Sequence, residues 1–63
     1  MTREQLEKLS RLLTETAETA SDIELRALAG GGGRIAGLAS EVRGNCVVCM
    51  RLVDGLSEVV CRG

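Results

Sequence analysis

The side chains with chemistry to offer are three thiols, Cys46, Cys49 and Cys61, all in the second half of a 63-residue chain that contains no His. Cys46 and Cys49 form a Cys-x-x-Cys pair, a spacing shared by metal sites and redox dithiols. A tetrahedral zinc site wants four Cys or His ligands, so three thiols fall one short. A dithiol of the thioredoxin kind sits in βαβ surroundings, which this sequence lacks. No metal or other cofactor is therefore expected. No catalytic constellation accompanies the thiols, so the chain is not expected to be an enzyme. An odd count leaves at least one thiol outside any intramolecular disulfide. Buried thiols in a helical interface are the simplest use for them.

Net charge is −1, and the two halves differ: residues 1–31 carry four basic and six acidic side chains, residues 32–63 four and three. Neither half has the clustered basic stripe of a nucleic-acid binder. No apolar run approaches the roughly 18 residues that span a bilayer. The first residues are polar and acidic, with no apolar h-region, so no signal peptide is expected. Phe, Tyr, Trp and Pro are all absent. Chains this short bury only about 60% of their unfolded surface. Without aromatic bulk, a free-standing globule is not expected, and a staple or a partner is.

The elements that must position the thiols read as mainly α. "MTREQLEKLSRLLTETAETA" repeats Leu6, Leu9, Leu13, Ala17 and Ala20 at steps of three and four, with charges between them. Thr2 followed by Gln5 fits a capping box, and Glu4 suits the first turn. Thr14, Thr16 and Thr19 are poor helix formers, and Ser21 with Glu24 repeats the capping pattern. Residues 3–29 are thus read as one amphipathic helix with a soft joint near Ser21, or as two short helices. Ile23, Leu25 and Leu28 would be the apolar residues of the second. Gly30 to Gly33 then break the chain, more glycine than a helix C-cap requires.

Beyond the break, Ile35, Leu38, Val42, Cys49, Leu52, Leu56 and Val59 keep a heptad in which Asn45 is the polar intruder. As a helix, this stripe would pair with the first half as a helical hairpin or coiled coil. Gly37, Gly44 and Gly55 count against it, at up to about 1 kcal/mol each. As strands, Asp54-Gly55 is a two-residue β-hairpin signal between β-branched runs. That register opposes Arg51 to Glu58 and sets Cys46 and Cys61 on one face, near enough for a disulfide. Residues 34–43 are read as helix, and 45–62 stay open between helix and hairpin. Little independent tertiary fold is expected.

"ELRALAGG", Glu24 to Gly31, resembles the end of a double-glycine leader peptide. Such leaders belong to precursors of bacteriocins and other ribosomally made, modified peptides. The family pattern ends in Gly-Gly, with an apolar residue four positions before the cut and a Leu and an acid at seven and eight. A cut after Gly31 puts Leu28, Leu25 and Glu24 at those positions. The resemblance implies a leader at 1–31, a mature core at 32–63, and a cut at Gly30-Gly31 by a peptidase-containing ABC transporter. A channel that admits only residues without side chains explains the glycine pair. Leu9, Leu13, Glu24, Leu25 and Leu28 would be the recognition residues, since an amphipathic helix docks well in an apolar groove.

The same resemblance implies a second partner, a peptide-modifying enzyme, and a use for the thiols. In lanthipeptide precursors a dehydrated Ser or Thr accepts a Cys thiolate to form a thioether. Here the candidates are Ser40, Ser57, Cys46, Cys49 and Cys61. Ser57 and Cys61 are spaced to close a small ring, and short loops cost little closure entropy. The precursor would be cytoplasmic and its product secreted. That product, with four arginines and many apolar residues, suits a bacteriocin or signalling peptide acting at a membrane surface. A reading of another class stands beside this one: a small helical-hairpin or coiled-coil interaction module that self-associates.

Overall fold

A computed structural model describes residues 1–62 as two helices joined by a three-residue turn. The first, α1, runs Arg3–Ala29, and the second, α2, runs Gly33–Arg62. They fold back on each other as an antiparallel hairpin of 50 × 15 × 12 Å. The radius of gyration is 14.5 Å, well above the roughly 11 Å expected of a compact body of this length. The molecule is a short rod.

α1 begins where the sequence places it. The Thr2 hydroxyl accepts from the Gln5 amide at 3.2 Å, and the Gln5 side chain accepts from the Thr2 amide at 2.8 Å. Two otherwise orphaned donors are satisfied reciprocally. No joint opens at Ser21; one helix continues to Ala29. The threonines that argued for a break are accommodated by back-bonding. Thr14, Thr16 and Thr19 each donate a hydroxyl hydrogen to the carbonyl four residues earlier, at 3.0, 2.7 and 2.9 Å. Such bonds compete with helix in free peptides but complete the hydroxyl's needs once the helix is packed.

The turn ends α1 in a Schellman motif. Gly32 N–H donates to the Ala27 carbonyl at 2.7 Å and Gly31 N–H to the Leu28 carbonyl at 3.3 Å. The motif needs one residue in the left-handed region, and Gly31, with φ +80°, supplies it. Gly31→Ala is expected to destabilise the hairpin by about 1–2 kcal/mol, the usual cost of that conformation for an L-residue. Thermal melting followed by circular dichroism reads the loss. An added Cβ has open space there, so the cost is purely a backbone one.

α2 runs unbroken from Gly33 to Arg62, which corrects the β-hairpin alternative at Asp54-Gly55. Both residues lie inside α2. Gly37, Gly44 and Gly55 are carried within the helix, where an added Cβ would meet nothing. A long partner helix explains why: packing against a neighbour supplies most helical stability in proteins, and propensity supplies little. The proposed disulfide geometry goes with the hairpin. Fifteen residues of helix separate Cys46 from Cys61 by about 22 Å, too far to bridge, and all three thiols are free.

The seam between the helices is thin. From α1 it takes Leu6, Ser10, Leu13, Ala17, Ala20, Glu24 and Ala27, and from α2 Ala36, Ala39, Arg43, Cys46, Met50, Val53 and Ser57, all buried or half-buried. Both sets step by three and four along the chain, the coiled-coil period. Small residues dominate near the turn, and Leu6, 2% exposed, plugs the open end. The heptad of large residues read from the sequence is not this one. Ile35, Leu38, Val42, Leu52, Leu56 and Val59 are all exposed. α1 packs instead on the neighbouring stripe, one residue along, made of Ala36, Ala39, Cys46 and Val53. Alanine lets the two backbones approach closely, which the bulkier stripe would prevent.

Candidate functional site

Two features stand apart from the seam: a long uncovered face on α2 and the glycine tip. The face comprises Ile35, Leu38, Val42, Asn45, Cys49, Leu52, Leu56 and Val59, all exposed. No charged residue interrupts those positions, and their spacing of three and four makes one continuous stripe of a helix. Its C-terminal end protrudes most, Leu52 being 65% and Val59 69% exposed. Toward the turn it dips instead. There Ile35, Leu38 and Val42 face Thr16, Thr19 and Ile23 of α1 across a groove of about 290 Å³ floored by Ala20 and Ala39. So much connected apolar surface is unusual on a protein that works alone, where it marks an interaction site or an aggregation liability.

The tip presents Gly30 and Gly31 to solvent. Leu25 and Leu28, 64% and 59% exposed, lie on the outside of the last turns of α1 beside it. Of the other residues singled out for recognition, Leu9 and Leu13 are half-buried in or beside the seam, facing α2. Glu24 is also half-buried, with its carboxylate 3.6 Å from the Arg43 guanidinium. The structure thus gathers Leu25, Leu28 and the glycine pair at one end and commits Leu9, Leu13 and Glu24 to the contact between the helices.

The Glu24–Arg43 contact was not legible from spacing, because it joins two helices. It is asymmetric: the Glu24 side chain is 18% exposed and that of Arg43 44%. One Glu24 oxygen, Oε2, is buried with no hydrogen-bond donor, so Arg43 serves it through charge alone. Arg43→Met is therefore expected to cost about 1–3 kcal/mol, the penalty of a buried polar atom left without a partner. Glu24→Gln, which leaves only a guanidinium already in reach of water, is expected to cost less than 1 kcal/mol, roughly a surface ion pair. Urea titration of the two variants measures the difference. A charged pair at a seam position also resists sliding of one helix along the other.

The candidate cross-linking residues are spread along α2. Cys46 is buried in the seam, Cys49 lies on the uncovered stripe, and Cys61 is exposed near the open end. Ser40 and Ser57 are half-buried. Ser57 and Cys61 sit one helical turn apart and share a small cleft with Arg3, Leu6, Glu7 and Val60. Among the described residues no group of three His, Cys, Asp or Glu side chains is placed to hold a metal ion. No helix among the described residues is long and apolar enough to cross a membrane.

No family model, curated protein or solved structure matches the chain. The functional argument therefore rests on the chain's own surfaces. Thr16, Thr19 and Ile23, which line the α1 side of the groove, are legible in the sequence only as residues of a helix and not as part of a surface. The signal available was the overlap of two heptads in the second half, offset by one residue, of which α1 can cover only one.

Proposed function

We propose that the chain is a small helical-hairpin interaction module that self-associates through the uncovered stripe of α2. The observation that carries this reading is the double seam. α1 satisfies the stripe of small residues and leaves the stripe of large ones in water. A hairpin with so thin an internal contact gains little from folding alone, and short scaffolds normally acquire the missing burial by oligomerising. Covering the stripe supplies that burial. Melting curves at several protein concentrations test the proposal. Linkage requires the midpoint to rise with concentration if only the assembly is stable, and a helical melt independent of concentration would count against it.

A second reading keeps the precursor function, and one observation favours it. Only Gly31 is required by the turn's backbone. A Cβ on Gly30 would meet the Arg26 and Ala27 carbonyl oxygens at 3.5 and 3.9 Å, both ordinary contacts. The glycine at position 30 is thus unexplained by the fold and fits the narrow channel of a double-glycine peptidase. On this reading a peptidase-containing ABC transporter grips Leu25 and Leu28, cuts after Gly31 and secretes residues 32–63. A modifying enzyme first cross-links Cys46, Cys49 or Cys61, with Ser40 and Ser57 as acceptors. Gly30→Ala separates the two readings. The module tolerates it, whereas cleavage in cells that carry such a transporter is lost.

A further inference from the structure

We infer that the partner of the α2 stripe is a second copy of this chain docked antiparallel, with its turn at the opposite end, so that two hairpins form a four-helix bundle about a two-fold axis beside Val47. This rests on the self-association reading and adds the partner's orientation and register.

Three observations converge. The first is shape. The stripe is concave at the turn end, where the groove between Ile23 and Ile35, Leu38 and Val42 lies open, and its two most exposed large apolar side chains, Leu52 and Val59, stand at the other. An antiparallel copy sets the protruding end of each chain into the groove of the other. A parallel copy sets groove against groove and leaves an apolar void, which forfeits contacts on every wall that lines it.

The second observation is register. The eight stripe positions are symmetric about Val47. An antiparallel copy therefore opposes Ile35 to Val59, Leu38 to Leu56, Val42 to Leu52 and Asn45 to Cys49, each pair occurring twice, as a two-fold interface demands. The stripe's one amide then meets a polarisable thiol, a weak donor and acceptor, in the central layers. Sliding by one heptad drives Asn45 against Val42 or Leu56 of the other copy, where a buried amide has nothing to bond. Asn45 thereby fixes the register, the best-attested use of a lone polar residue in such a seam.

The third is size. Covering the six apolar residues of the stripe on both copies removes on the order of 1,300 Å² from water, inside the range of about 1,200–2,000 Å² found for stable specific interfaces.

Disulfide trapping reads the orientation. In a full chain with Cys46→Ala, Cys49→Ser (which keeps a hydrogen-bonding partner for Asn45) and Cys61→Ser, one preparation carries Leu38→Cys and another Leu56→Cys. Helicity is first checked against the unaltered chain, and the two are then mixed in a thiol–disulfide buffer and weighed by mass spectrometry. The mixed 38–56 dimer is expected in roughly tenfold excess over either symmetric dimer, since bridged Cα atoms must lie within about 7 Å. In the proposed arrangement two Leu38 positions are separated by about 27 Å along the axis. Ile35→Cys mixed with Val59→Cys repeats the test at the ends, in case loss of both leucines weakens assembly. Dominant symmetric dimers overturn the antiparallel arrangement but leave self-association standing. An oligomer in sedimentation that traps in neither pairing overturns the assigned face. A monomer that traps in neither overturns both.

Discussion

Replacing Leu52 and Leu56 together by lysine is expected to dissociate the protein and melt much of its helix. Each leucine withdrawn from water on assembly contributes about 1.5–3 kcal/mol, and a two-copy assembly loses four of them. With each 1.4 kcal/mol worth tenfold, the dissociation constant rises by at least about 10⁴. Helix is lost along with mass because the internal seam near the turn offers mostly alanine and isolated helices of this length are marginal in water. Sedimentation and circular dichroism on one sample follow both effects. Arg51→Gln and Glu58→Gln make a suitable control. Both side chains are exposed and point away from seam and stripe, so the pair is expected to change stability by less than about 0.5 kcal/mol.

Leu6→Ala carries the second large effect. Among the described residues Leu6 is the one large side chain that is essentially fully buried, at the end of the rod that no turn closes. It packs beside Ser57 and Val60, and with Val53 it ties the first turns of α1 to the last of α2. Truncating a buried leucine costs about 2–5 kcal/mol, depending on how far the site collapses. In a domain this small that lowers the melting midpoint by at least about 10 °C. The loss has a location as well as a size. Hydrogen exchange is expected to speed up in the first turns of α1 and the last turns of α2, while amides beside the Gly30–Gly32 turn stay protected, because helical hairpins open locally from their unlinked end.

Much of this fold is written in local pattern. The capping box at Thr2 and Gln5, the amphipathic repeat from Leu6 to Ala20, and the glycine break all follow from rules that act within one or two helical turns. What spacing did not reveal depends on contact between distant residues. Thr14, Thr16 and Thr19 look like a weak point until packing holds the helix and their hydroxyls turn back to the chain. Asp54-Gly55 reads as a β-turn because two residues carry that signal, whereas a partner helix acting along the whole of α2 overrides it. The α2 heptad is visible in the sequence, but its role is not. Spacing alone offers the large residues to the internal seam, whereas the close approach of two helices selects Ala36, Ala39 and Cys46. Glu24 matches the acid of a leader motif by position, and only the folded hairpin brings Arg43 to it. The cysteines separate in the same way, since burial of Cys46 and exposure of Cys49 and Cys61 are properties of the seam.

Sedimentation equilibrium of the unaltered chain under reducing conditions, with helicity recorded at each loading concentration, bears most directly on the claim that α2 keeps a face for another copy. A helical species of twice the chain mass, giving way to a poorly helical monomer on dilution, is the expected result. A monomer that stays fully helical at every concentration, its leucine stripe in water, would contradict it.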